Sequence, residues 1–265
     1  MLRRLEQCLL YDERGFYSTY FQGSVSVRIM QIARPPKGAF LFGIIFEQMN
    51  SFSMNMIEKL GNAGIIPVIV IEDVAKAVPL AKALVKGGLP VLEVTFRTSC
   101  AAEAIKKIKA EVEGATVIAG TVLTIEQLNS ARAAGAEACV APGFDPAIVS
   151  AAMEAGMPFC PGVATASELS QALSLGCKFV KFFPAESAGG VKYVKDLLGA
   201  FRFTGVKFMP TGGVNLSNVK DYLSVPEIIC CGGTWIAPKA AVEDGDWELI
   251  TKLAKEASAL VMDCR

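Results

Sequence analysis

The 265-residue chain contains no histidine. That absence removes every Ser–His and Cys–His nucleophile pair, every His-ligated zinc or iron site, and the usual acid/base group of neutral pH. Enzymatic chemistry would then fall to carboxylates, lysines, hydroxyls or a cofactor. Net charge is missing as well. Twenty-six Lys and Arg balance 26 Asp and Glu, which leaves no electrostatic case for a nucleic-acid or acidic-lipid partner. No apolar run reaches the roughly 18 residues of a membrane helix, and the best, Ala39–Phe46, is far shorter. Glu6, Asp12 and Glu13 interrupt the start of the chain, so a secretory signal is not expected. CxxC spacing is also lacking among the eight cysteines, which argues against a zinc ribbon or a thioredoxin-type motif. Most of the cysteines stand in apolar contexts and read as small buried thiols in a reducing compartment. The expectation is a cytoplasmic protein with no membrane segment.

What is present is a globular composition, 52% hydrophobic and 20% charged, on a chain long enough for one large core. Residues 1–55 read as an N-terminal extension of unknown role. They hold scattered aromatics, Pro35-Pro36 and no sustained period. A disordered tail, translation upstream of the true start, and a segment packing on the domain or a partner all remain open. From Met56 onward a short apolar run followed by an amphipathic stretch recurs. The runs are Ile65–Ile71, Val91–Arg97, Thr116–Gly120, Ala138–Gly143, Pro158–Val163, Phe179–Ala185, Val206–Thr211 and Ile228–Gly232. Their β-branched and apolar residues suit strands buried on both faces. Gly87, Gly135, Gly156 and Gly176 each fit the left-handed position that ends a helix. Eight strand–helix units over residues 56–265 predict an α/β fold, the (β/α)8 barrel. A doubly wound open sheet is the competitor, but no GxGxxG follows the first strand. In such a barrel, chemistry belongs at the C-terminal ends of the strands.

Three of those strands carry residues that could perform it. The second reads Val91-Leu-Glu93-Val-Thr95-Phe-Arg97, and alternation places Glu93, Thr95 and Arg97 on one face. Three inward polar groups are costly unless paired or functional. Either Glu93 and Arg97 form a structural ion pair, or Glu93 is a general acid/base beside an arginine for an anionic substrate group. The sixth strand, Phe179-Val-Lys181-Phe-Phe183, has Lys181 as its one central charge. An apolar setting favours the neutral amine, which attacks ketones to form a Schiff base. The plainer alternative pairs Lys181 with a carboxylate of a neighbouring strand. Lys178, three residues earlier, falls on the opposite face. The last two strands end in Thr211-Gly212-Gly213 and Gly232-Gly233-Thr234, at the loops where this barrel recurrently binds phosphate. Two tight turns would explain the glycines equally simply. Thr121 and Pro142-Gly143 complete the polar or kinked strand ends, and Thr121 could simply cap the helix that follows.

These segments, from Gly64-Ile-Ile-Pro-Val-Ile through Glu93-Val-Thr-Phe-Arg97-Thr, Gly120-Thr-Val-Leu, Ala141-Pro-Gly, Lys181-Phe-Phe-Pro-Ala-Glu186 and Pro210-Thr-Gly-Gly-Val to Gly232-Gly-Thr-Trp, closely resemble the 2-keto-3-deoxy-6-phosphogluconate (KDPG) aldolase family. Its members are also known as bifunctional 4-hydroxy-2-oxoglutarate aldolases. The resemblance covers about Met56 to the C-terminus and leaves out the first 55 residues. It implies a metal-independent class I aldolase, with no cofactor, that splits a phosphorylated keto acid to pyruvate and glyceraldehyde 3-phosphate in the Entner–Doudoroff pathway. By position, Lys181 matches the Schiff-base lysine and Glu93 the general acid/base. Arg97 and Thr121 match contacts to the pyruvate carboxylate, while Pro142 and Thr211 lie at the substrate end. Gly212, Gly213, Gly232 and Gly233 match the phosphate loops, with Thr234 standing where many members have serine. A homotrimer is implied too. The alternatives are the 6-phosphogalactonate-specific relatives, a phosphate-binding barrel isomerase or epimerase, and a non-catalytic sugar-phosphate binder.

Overall fold

Short β-branched runs and amphipathic runs alternate from residue 56 onward, and the structure, a computed structural model, folds them as a parallel α/β unit. It describes residues 9–11, 17–19 and 56–264. The chain divides into two units, Met1–Gln48 and Met49–Arg265. In the first, β1 (Leu9–Tyr11) and β2 (Tyr17–Thr19) pair antiparallel, with Leu10 opposite Ser18. The rest of the extension expected over residues 1–55, including Ala39–Phe46, lies outside the described residues.

The second unit begins with helical residues 56–63, α1. The strands that follow are β3 (Ile65–Ile69), β4 (Val91–Thr95), β5 (Thr116–Gly120), β6 (Ala138–Val140), β7 (Phe159–Cys160), β8 (Gly162–Val163), β9 (Phe179–Phe182), β10 (Lys207–Pro210) and β11 (Cys231–Gly233). Helices α2 (Ala77–Lys86), α3 (Ala101–Glu111), α4 (Ile125–Ala133), α5 (Pro146–Glu154), α6 (Ala166–Ser174), α7 (Gly190–Phe201) and α8 (Val219–Leu223) lie between them, and α9 (Lys239–Asp244) and α10 (Trp247–Asp263) close the chain. A helical return is what a parallel neighbour requires, because a hairpin turn cannot bring the chain back in the same direction.

Local chemistry sets the helix starts. Thr124 accepts from Gln127 N, Asp145 caps α5 ahead of Pro146, and Thr165 with Glu168 forms a full capping box. The left-handed glycine occurs as expected at Gly135, Gly156 and Gly176, but after α2 it is Gly88 (φ 89°), whereas Gly87 keeps helical torsions. Gly87 has a different reason to be glycine. A Cβ there would overlap Ala254 of α10, so it is the close approach of two helices that forbids a side chain.

The ladder runs in two parallel sheets, β11-β3-β4-β5-β6-β7 and β10-β9-β8, rather than in the single closed ring expected of eight strands. Two local causes divide it. Pro161 lacks an N–H and separates β7 from β8, while its carbonyl still accepts from Lys181 N at 2.9 Å. Between β10 and the approach to β11 only the isolated bridges Phe208–Ile228 and Thr211–Gly232 form. The sheets nonetheless curl around one interior, since Ile66, Val91, Ile118, Val140, Cys160 and Met209, from strands of both, make one buried cluster. Met56 and Leu60 of α1 belong to the same cluster. A second, larger cluster fills the space between the strands and the surrounding helices and includes Leu92, Val94, Val180 and Phe182.

Candidate active site

Alternation along β4 and β9 decides what faces the interior. Leu92 and Val94 pack outward, as do Val180 and Phe182, so Glu93 and Lys181 turn inward. There they meet. Lys181 Nζ donates to Glu93 Oε1 at 3.0 Å, with the second carboxylate oxygen at 3.4 Å, and the side chains are 4% and 0% exposed. Of the two sequence-level alternatives for Glu93, the pair with Arg97 is therefore not the one that forms. Lys181 does pair with a neighbouring carboxylate, and that carboxylate is the expected acid/base residue. The contact links the two sheets across the interior.

Gly120 makes room for it. A Cβ at this position would overlap Glu93 Oε1, so the carboxylate can lie against β5 only because position 120 is bare. The ring of Phe183 lies 5.8 Å from Nζ. Cys160 is buried within electrostatic reach of the pair, and burial holds its thiol well above its usual range, the Lys181 charge opposing only in part. A thiol held protonated in this way is a poor nucleophile. Thr95, expected on the same face, spends its hydroxyl on Ile69 O at 3.2 Å.

The rim at the C-terminal ends of the strands carries the other expected residues. Arg97 lies beyond the end of β4 and is exposed, its Nε donating to Thr121 Oγ1 at 3.3 Å. Thr121 has φ 57°, an outlier for a β-branched residue and a form of strain that collects at functional sites. The cap of α4 is Thr124, which removes capping as the explanation for Thr121. Pro142 is half-buried, and its backbone lies so close to Gly162 that a Cβ at position 162 would overlap it. Thr211 is 5% exposed, and its hydroxyl has no hydrogen-bond partner. An orphaned buried donor of this kind is costly unless something else completes it. The Thr211–Gly232 bridge brings Gly212-Gly213 beside Gly232-Gly233, with Thr234 exposed at the edge. Thr234 also lines a cavity of about 660 Å³ between the end of β3 and α9. Both lysines on that wall are engaged, Lys76 with Glu243 O and Lys239 with Glu72.

Sequence reasoning missed two features here. Trp235 stacks beneath Gly233, where a Cβ would overlap its ring, and its buried indole N–H lacks a partner. The carboxylate of Glu186 accepts from Tyr222 Oη. The aromatic directly after Gly-Gly-Thr was a usable signal for the first, whereas the second joins residues 36 apart. Among the described residues no cluster of three or more Cys, Asp or Glu is placed to hold a metal ion, and no helix is long and apolar enough to cross a membrane.

A primary amine touching a carboxylate in a dry interior is equipped for imine chemistry at a carbonyl. Moving the shared proton from Nζ to Oε1 yields a nucleophilic amine and an acid without changing the net charge of the interior. In a parallel α/β fold this arrangement is what a class I aldolase, working through a lysine Schiff base, requires. The chain belongs to the KDPG and KHG aldolase family, whose sequence profile matches residues 56–253. It is 43% identical over 208 residues to the 2-dehydro-3-deoxy-phosphogluconate aldolase of Treponema pallidum, covering 78% of this chain and 98% of the relative. Over 193 residues it is 48% identical to the KHG/KDPG aldolase of Escherichia coli K12, 73% of this chain and 90% of the relative. A crystal structure of the Legionella pneumophila KDPG aldolase, with pyruvate captured as a covalent carbinolamine, superposes with a TM-score of 0.71 at 42% identity, covering 73% of this chain and 93% of that one.

Proposed function

We propose that this chain cleaves 2-dehydro-3-deoxy-6-phosphogluconate to pyruvate and glyceraldehyde 3-phosphate, and also 4-hydroxy-2-oxoglutarate to pyruvate and glyoxylate. The buried contact between Lys181 Nζ and Glu93 carries the reading. With its proton moved to Glu93, the Lys181 amine adds to the C2 ketone, and Glu93 returns the proton as the carbinolamine loses water. The protonated imine is an electron sink. Glu93, through a water, takes the C4 hydroxyl proton. The C3–C4 electron pair then moves toward the imine, releasing the aldehyde and leaving an enamine. Glu93 gives its proton to C3, and water hydrolyses the protonated imine to pyruvate and the Lys181 ammonium, again paired with the Glu93 carboxylate. One carboxylate serves every step because each returns what the previous one took.

Arg97 and Thr121 hold the substrate carboxylate, with the strained backbone of Thr121 fixing its hydroxyl beside the guanidinium. Pro142 shapes the wall, and Thr211 offers its unpartnered hydroxyl to the substrate. Gly212, Gly213, Gly232, Gly233 and Thr234 take the phosphate through backbone N–H groups and the Thr234 hydroxyl. The strands close into an eight-stranded barrel, β7 and β8 acting as one strand bent at Pro161 and the two isolated bridges joining β10 to β11. The catalytic domain is residues 56–265 and the preceding segment takes no part in the chemistry, in keeping with the span matched by the family profile. The assembly is a cytoplasmic homotrimer, for which the exposed Leu123 and Ile125 beside the site offer apolar surface.

Pyruvate release followed by coupled lactate dehydrogenase on the gluconate-derived, galactonate-derived and 4-hydroxy-2-oxoglutarate substrates tests the assignment. The highest kcat/KM is expected on the gluconate-derived substrate; no pyruvate from any of the three would reject it.

A further inference from the structure

Glu186 is a carboxylate beside the glycine pair at which the proposed phosphate would sit, where its charge is unfavourable for binding an anion. Its geometry accounts for its presence there. Glu186 N donates to Gly212 O at 3.0 Å, one residue after Ala185 N donates to Thr211 O at 2.8 Å. In a planar trans peptide the carbonyl and the following N–H point in opposite directions, so this bond turns the Gly213 N–H away from the Glu186 backbone. Gly213 (φ 80°) lies against the Glu186 side chain, whose Cγ would be 2.6 Å from a Cβ at that position. The carboxylate in turn accepts from Tyr222 Oη of α8. Tyr222 is 1% exposed, and burial first, then its hydrogen bond to Glu186 and the Glu186 charge, push its phenol above the usual range, so it stays a donor. From the other side, Asn215 and Asn218 donate to Gly213 O at 3.0 and 3.1 Å.

We propose that the Glu186–Tyr222 pair is a positioning strut that sets the Gly212–Gly213 loop relative to Lys181, five residues upstream on the same segment, and so determines preference for phosphorylated over unphosphorylated keto acids. This rests on the aldolase reading above. The strut acts through hydrogen bonding and shape: the carboxylate oxygen is needed as an acceptor, and its charge is not.

The test measures steady-state kinetics of the full chain on 2-dehydro-3-deoxy-6-phosphogluconate and on 4-hydroxy-2-oxoglutarate, with inorganic phosphate as a competitive inhibitor. Tyr222→Phe and Glu186→Ala should each raise KM for the phosphorylated substrate about tenfold, the upper end for one lost ordinary hydrogen bond. Phosphate inhibition should weaken by a similar factor, while kcat/KM on 4-hydroxy-2-oxoglutarate stays within about twofold. Glu186→Gln, which keeps an acceptor oxygen, should restore wild-type behaviour. Equal losses on both substrates, no loss on either, or a Gln variant as impaired as the Ala variant would overturn the strut while leaving the aldolase intact. Wild-type protein that evolves no pyruvate from either substrate would remove both readings together.

Discussion

At the N-terminal ends of the strands, Met56 and Leu60 of α1 join Ile66 and Val91 in one buried cluster, and Glu137 takes up Lys59 at 2.9 Å and Lys109 at 2.6 Å. At the C-terminal ends the interior turns polar around Glu93 and Lys181, Thr121 sits in a left-handed conformation, and the hydroxyl of Thr211 and the indole of Trp235 have no partner. The third buried atom without a partner among the described residues, Glu227 Oε2, belongs to a carboxylate already paired with Arg202. One end of the sheet is thus closed by packing that completes itself. The other holds strain and unmet polar groups, which a folded chain retains where a ligand completes them. Substitutions at the first end should therefore cost stability alone, and those at the second should cost chemistry.

The sharpest break of that contrast is Lys181→Met, which should reduce pyruvate release to the uncatalysed background. It should also destabilise the protein by about 3–5 kcal/mol, because Glu93 is left as an unpaired buried charge. Adding Glu93→Leu should restore stability, measured by urea unfolding, without restoring activity; a double variant no more stable than the single would show that the pair is itself a source of stability. Glu93→Gln comes next. It should slow turnover by about two to four orders of magnitude, and unchanged turnover would reject Glu93 as the proton carrier. At the closed end, Leu60→Ala should cost about 2–5 kcal/mol with kcat per folded molecule unchanged. Glu137→Gln should have the smallest effect, about 1 kcal/mol at neutral pH. Burial works to raise the Glu137 carboxyl, but hydrogen bonds and charge from Lys109 and Lys59 outweigh it and hold the group below its usual range. The stabilisation is thus present at neutral pH and lost as pH falls through that lowered native value. The variant should therefore lose less stability on acidification than wild type, as read from Tm against pH.

Much of this was legible from local pattern. The period of two in Val91–Thr95 placed Glu93 inward with Leu92 and Val94 outward, and the apolar neighbours of Lys181 marked it as buried. What alternation cannot supply is the partner. Lys181 and Glu93 are 88 residues apart and meet only because the two sheets curl around one interior. Hence the carboxylate pairs with Lys181, while Arg97, past the end of its strand, turns to Thr121. The count of eight strands anticipated the parallel, curled arrangement, but counting is blind to Pro161, which interrupts one strand and leaves the ladder in two sheets. Gly87 and Gly88 were indistinguishable until α10 packed against the first of them. Helix α10 itself follows the last strand and went unassigned, although Asp246 caps it and Ala254 and Ala257 bury its inner face.

The central claim is that Lys181 is the nucleophile, activated by the carboxylate it touches. Borohydride reduction in the presence of pyruvate, followed by peptide mapping, tests it most directly. A stable adduct confined to Lys181, still formed but more slowly in Glu93→Gln and absent from Lys181→Met, is the predicted result. An adduct on another lysine, or no adduct from active enzyme, would contradict it.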